Sequence, residues 1–263
     1  MQISSFIITD PLHFHDGWHC IAALPNDAAH AVGSDSSADM ESGRYPVVYL
    51  MGETDVEAVM NECEDKSFIL VGIESKDWNT SFSPWPVSKL AKSLGPFAGG
   101  GPAFLELLID KIKLYVDAHF ATIPDSAHTA LAGYSLAGLL TAYAFFTQRS
   151  VFSRFACMSG SLWYPGWIEF VEKAACVPDR ADTVSGLPLV PRLYFSLGDR
   201  EKVSRNQIMA QVESCTQKTV KLLERYNPVF EMNAGGHFDD VSKRIAKGIC
   251  AVLSSCVVGY SAG

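Results

Sequence analysis

Positive charge is scarce in this chain. Over 263 residues, 21 Lys and Arg stand against 29 Asp and Glu, a net charge of −8. That balance does not suit nucleic acid or an anionic membrane surface, so neither is expected as a partner. No Cys-x-x-Cys occurs. The seven cysteines, Cys20, Cys63, Cys157, Cys176, Cys215, Cys250 and Cys256, are odd in number and widely spaced. No zinc or disulfide framework is legible, and reduced, buried thiols without a metal are the expectation. The opening MQISSFIITDPLHFH has neither a basic segment nor a sustained apolar run. It does not read as a signal peptide, and a cytoplasmic location is expected. The longest uncharged run, residues 129–148, has the length of a membrane span but is broken by Gly133 and Gly138. A buried strand followed by a buried helix is the better reading.

Apolar residues make up 48% of the chain and charged residues 19%, enough for one large core and a single domain over residues 1–263. Residues 25–46 are the one polar, low-hydrophobicity stretch and read as a surface loop. Strand-like segments fall at 18–24, 46–51, 68–74, 129–133, 155–159, 193–197 and 229–233. Helix-like segments fall at 56–62, 103–119, 136–147, 166–175, 205–226 and 239–253. Several strands are short, continuous apolar runs, as expected of strands buried on both faces. The alternation predicts an α/β fold with a mostly parallel central sheet flanked by helices on both faces. The segments before Pro46 have no helix between them and are expected to pair antiparallel.

Two stretches approach the Gly-x-Ser-x-Gly signature of serine hydrolases: GYSLAG at 133–138 and GYSAG at 259–263. The second matches the letters better, because the first has Ala137 in a glycine position. A nucleophile elbow needs a buried strand before its serine, small residues two before and two after, and a helix behind it. Ser135 has all of these. Ser261 has two valines before Gly259 and nothing after Gly263, so it reads as a decoy.

The order of such a site is serine, acid, histidine. Only His237 follows Ser135. It lies in NAGGHFDD, between the last strand-like and last helix-like segments. The acid should follow the strand-like segment 193–197, where Asp199 and Glu201 both occur and the residues leave both open. One of the two is expected merely to pair with Arg200 or Arg205. Oxyanion donors should be backbone N–H groups: Leu136, after the serine, and one from the loop near Gly52 and Glu53. The reaction these residues suit is ester cleavage through an acyl-enzyme, with no cofactor and a small-molecule ester as partner. Two rivals are an acyltransferase that hands the same acyl group to an alcohol, and a binding protein with a dead elbow.

Seven blocks carry a family likeness: RYPVVYLMGE, DWNTSFSPWP, FAGGGPAFLELL, LAGYSLAGLL, SGSLWY, SLGDRE and GGHF. In their order and spacing over residues 45–253 the chain resembles the esterase family of α/β-hydrolases that includes esterase D and the enterochelin (siderophore trilactone) esterases. The resemblance implies the α/β-hydrolase fold, Ser135 as nucleophile, His237 as base, and Glu53 and Leu136 as oxyanion donors. It places a glutamate third after the glycine, hence Glu201 as the acid, with Asp199 the alternative. It places Trp85 and Trp163 at the active-site mouth, as substrate-binding residues. An extra N-terminal domain like that of the larger enterochelin esterases is not expected, and no arginine cluster is legible at the mouth. Substrates are expected to be short or medium acyl esters or lactones, a siderophore trilactone among them.

Overall fold

The computed structural model describes residues 1–10, 14–26, 43–52, 55–75, 77–88, 95–176, 183–184, 187–188 and 190–254. Most of the expected 25–46 loop, Glu53 and Ser261 lie outside these residues.

Eight strands form one sheet: β1 (Gln2–Asp10), β2 (Phe14–Leu24), β3 (Val47–Met51), β4 (Ile69–Ile73), β5 (Thr129–Tyr134), β6 (Arg154–Met158), β7 (Arg192–Gly198) and β8 (Val229–Asn233). Their spatial order is β1-β2-β4-β3-β5-β6-β7-β8. The pairs from β4 through β8 are parallel, whereas β1–β2 and β2–β4 are antiparallel. This is the α/β architecture read from the sequence, with the antiparallel start in place.

The inner strands are buried on both faces because helices cover both. In β3, Val47, Tyr49 and Met51 enter one core layer, and Val48 and Leu50 enter the other. The second layer is closed by α1 (Val56–Glu62) and α8 (Val241–Leu253), which contributes Ile245, Ala246, Ile249 and Val252. The first is filled largely by α5 (Leu136–Thr147), whose nine buried residues explain its uniformly apolar sequence, together with Trp167 and Val171 of α6 (Trp167–Ala175). The uncharged run at 129–148 is thus β5 plus α5. No helix among the described residues is long and apolar enough to cross a membrane.

Four elements depart from the sequence reading. Strand β1 was not expected. It is an edge strand with Ile3 and Ile7 exposed and Ser4 half-buried, so its apolar pattern does not mark the inner face. The helical stretch after Gly101 is continuous to His119 but contains a wide π-helical turn at Leu108–Lys113, between α3 (Gly101–Leu107) and α4 (Leu114–His119). A short helix, α2 (Trp78–Phe82), capped by Asp77, precedes them. Most relevant to the site, the helix expected at 205–226 is α7 (Val212–Leu222) with a 3₁₀ turn before and after it. The Asn206 side chain accepts from the Ile208 and Met209 N–H groups, and Ser204 Oγ accepts from the Asn206 N–H. These local bonds compete with a helix and hold residues 204–208 as a loop.

Candidate active site

Strand β5 delivers Ser135 to the carboxyl edge of the sheet, and α5 leaves directly behind it. Ser135 has φ +59° and ψ −121°. Few side-chain-bearing residues adopt this conformation, and here the surroundings impose it. Its N–H donates to the Met158 carbonyl, and its carbonyl accepts from Ser161 and Leu139. The neighbours must be small. A Cβ on Gly133 would lie 2.4 Å from the Ala137 carbonyl oxygen, and one on Gly138 would lie 3.0 Å from the Gly133 oxygen. Ala137 itself is fully buried and accommodated, so the departure from the five-letter pattern costs no clash. Gly133→Ala is expected to lower stability by about 2 kcal/mol or more. An unchanged denaturation midpoint in that variant would contradict this packing.

His237 Nε2 lies 3.0 Å from Ser135 Oγ, and His237 Nδ1 lies 2.8 Å from Glu201 Oε2. An ionised carboxylate only accepts, so Nδ1 carries the proton and Nε2 is left to accept from the serine hydroxyl. Glu201 is 3% exposed at its side chain, His237 29%. Burial pushes the Glu201 carboxyl up. Hydrogen bonds from His237, Ser159 Oγ and the Gly198 N–H outweigh it, so the net shift is downward. Its contribution to stability is therefore present above the ordinary glutamate range and is lost as pH falls through the lowered folded value.

Asp199 does something else. Its Oδ1 accepts from the Gly235 N–H at 2.9 Å and its own N–H donates to Asn233. It braces the loop that carries His237 without touching the imidazole. Neither carboxylate takes the expected surface partner: Arg200 pairs with Asp239 at 3.0 Å, and Glu201 is met instead by the buried Arg244 at 3.2 Å.

The first N–H groups of α5, that of Leu136 among them, have no intrahelical acceptors, and Leu136 lines the same cavity as Ser135. The Gly52 N–H is already committed to the Ile73 carbonyl. Glu53 lies outside the described residues.

Ser135, Leu136 and His237 open onto a cavity of about 590 Å³. Trp163 lines it, as do Trp78, Arg200, Arg205 and the 87%-exposed Phe238. Trp85 does not. Its indole N–H donates to the Pro165 carbonyl, and its ring packs against Tyr143, Tyr164 and Phe170. Trp85 is thus half-buried and packed against the core, and it does not line the cavity where the resemblance places it. Arg200 and Arg205 also correct the reading that no arginines gather at the mouth. Sequence pattern hid the place of Arg205 because the 205–226 stretch looked helical. Trp78 went unassigned but stands over Gly52, where φ is +118° and a Cβ would meet its ring at 2.8 Å.

The fold and this geometry can be set beside known proteins. Uncharacterized protein YbbA of Bacillus subtilis (strain 168) is 22% identical over 196 residues, 72% of this chain and 74% of that protein. Among solved structures, the IroE-like serine hydrolase from Shewanella oneidensis superposes with a TM-score of 0.73 at 18% identity. That match covers 95% of this chain and 78% of the other. The siderophore hydrolase EstB from Aspergillus nidulans gives 0.71 at 15% identity, covering 94% and 93%. At such identities these structures establish the shared serine-hydrolase fold. The Esterase family model matches residues 36–239, from before β3 to just past His237. With more than half of its length so matched, the chain belongs to the Esterase family of carboxylic ester hydrolases.

Proposed function

We propose that the chain is a serine carboxylesterase that cleaves short or medium acyl esters or lactones through an acyl-enzyme. The observation that carries this is the hydrogen-bonded series Ser135–His237–Glu201 on the wall of an open cavity. Ser135 Oγ attacks the ester carbonyl carbon while its proton passes to His237 Nε2. The Leu136 N–H, together with that of Glu53 implied by the family resemblance, receives the oxyanion. The tetrahedral species collapses, the C–O bond to the alcohol breaks, and the alcohol leaves with the proton held by His237. Water then repeats the sequence in reverse, and the acid departs. Glu201 keeps Nδ1–H aimed and offsets the imidazolium charge.

The apolar walls, formed by Trp78, Phe97, Trp163 and Met209, suit a compact acyl or aromatic group. Turnover of p-nitrophenyl esters is expected to peak at short or medium acyl length and to show no activation at a lipid interface. A rate climbing steadily to long chains would overturn this. Arg205 at the mouth, beside an Arg200 already paired with Asp239, suits an anionic substrate, and the names of the siderophore hydrolases of this fold make a siderophore lactone the first natural ester to test. With such a lactone, Arg205→Ala is expected to raise KM about threefold or more while leaving KM for a neutral ester unchanged. Equal effects on both would exclude charge recognition. Mass spectrometry of products with and without added alcohols separates hydrolysis from acyl transfer.

A further inference from the structure

Arg244 lies in the first turn of α8 and is 1% exposed. Arginine is rarely buried so completely unless its charge is paired. Nη1 donates to Glu201 Oε1 at 3.2 Å and to the Tyr134 hydroxyl at 3.1 Å, with Ser159 Oγ farther off at 3.4 Å. Nη2 donates to the Ala234 carbonyl at 3.0 Å, in the loop that leads to His237. The Tyr134 hydroxyl in turn donates to the main-chain carbonyl of His237 at 2.7 Å. Two arms therefore leave one guanidinium and end on one residue. The first reaches the imidazole Nδ1 through Glu201; the second reaches the His237 backbone through Tyr134.

The arrangement also balances charge. The side chains of Arg244 and Glu201 are 2% and 3% exposed, so water screens them little. With His237 neutral, the pair sums to zero. Without the guanidinium, a buried negative charge would face the imidazole and favour a proton on it. The other charged or titratable groups around the cluster are Tyr134 on β5 and, toward solvent, Asp239 and Arg200, which pair with each other.

We propose that Arg244 is a positioning residue for the hydrolysis: it fixes the Glu201 carboxylate and the His237 main chain together, and keeps the Glu201–His237 pair in charge balance. The inference rests on the Ser135–His237–Glu201 reading above. It is tested with Arg244→Met and Arg244→Lys in the wild-type and Glu201→Gln backgrounds, following kcat, KM, fluorophosphonate labelling and thermal unfolding against pH. Arg244→Met is expected to lower kcat about 30-fold or more with KM within about twofold. It is expected to move the acid limb of kcat/KM to higher pH by about half a unit or more. Arg244→Lys keeps the charge but not the fork, so the limb should return to the wild-type pH while kcat recovers only in part. In the Glu201→Gln background, Arg244→Met should slow labelling only several-fold further, well short of its loss in the wild-type background, because the Glu201 arm is already gone and only the Tyr134 arm remains to be lost. An unmoved acid limb in Arg244→Met, or an equal loss in both backgrounds, would reduce Arg244 to a structural residue and overturn the proposal. If Arg244→Met does not fold, Arg244→Lys and Tyr134→Phe carry the test. Tyr134→Phe cuts only the second arm, so it should lower kcat several-fold at an unchanged limb; a shifted limb in Arg244→Lys, or full activity in Tyr134→Phe, would overturn it. Retained turnover in Ser135→Ala would instead defeat the underlying reading, whatever the Arg244 variants do.

Discussion

Ser135→Ala is expected to lower kcat for a short p-nitrophenyl ester by about four to six orders of magnitude and to abolish labelling by a fluorophosphonate. The size of the effect follows from the position of the hydroxyl. It is the group 3.0 Å from His237 Nε2, and no other hydroxyl is recorded in that relation among the described residues. What survives in the variant is binding in the cavity and the N–H donors at the start of α5, which help a water attack only weakly. Folding is not at issue. Alanine is no more strained than serine at φ +59°, and the backbone bonds of the elbow to Met158, Ser161 and Leu139 do not involve the side chain. The unfolding midpoint should therefore stay close to the wild-type value. Full turnover in the variant would remove Ser135 from the chemistry. A wild-type protein that neither turns over esters nor takes the label would restore the reading of a binding protein with an inactive elbow.

The parts of this site that could be read from the sequence are those set by local pattern. Strand, turn and helix around Ser135 are spelled by an uncharged run with Gly133 and Gly138 at two fixed offsets, and α5 begins and ends where that pattern places it. His237 was legible from order alone, as the single histidine after the serine and before the last helix. What could not be read depends on register within turns and on which face of an element looks inward. Asp199 and Glu201 are two residues apart in one turn, and only the backbone path decides which one points at the imidazole. Arg244 is of a residue type that normally lies at the surface, yet it is buried within the cluster beside Glu201. The loop at 204–208 shows the opposite failure. Its residues fit a helical pattern, but Ser204 and Asn206 satisfy the backbone locally, and the result is a cavity wall bearing Arg205. Trp85 sits in one of the family-like blocks, yet its ring packs against Tyr143, Tyr164 and Phe170 and does not line the cavity.

The two carboxylates after β7 are expected to separate by activity. Glu201→Gln should lower kcat by about three to four orders of magnitude with KM little changed, whereas Asp199→Asn should keep most of its turnover. The amide in Glu201→Gln is nearly the same shape, but it presents an N–H₂ or a neutral oxygen to Nδ1. The imidazole can then be held in the wrong tautomer, with its proton on Nε2, facing a serine hydroxyl it can no longer deprotonate. The buried Arg244 is left without its counter-charge as well, so some loss of stability should accompany the loss of rate. Asp199→Asn differs in kind. Its Oδ1 accepts one N–H, from Gly235, and an asparagine oxygen can accept the same bond. The loop bearing His237 therefore keeps its brace, and a modest fall in thermal stability, not in kcat, is the expected signature. Asp199→Ala, which removes the acceptor, should cost about 1–2 kcal/mol through the unsatisfied Gly235 N–H and should lower kcat more than Asp199→Asn does, because the loop loosens. A steep fall in Asp199→Asn with an active Glu201→Gln would transfer the acid role to Asp199. Small losses in both would mean that His237 is oriented by something other than a carboxylate, and that the enzyme works as a Ser135–His237 dyad.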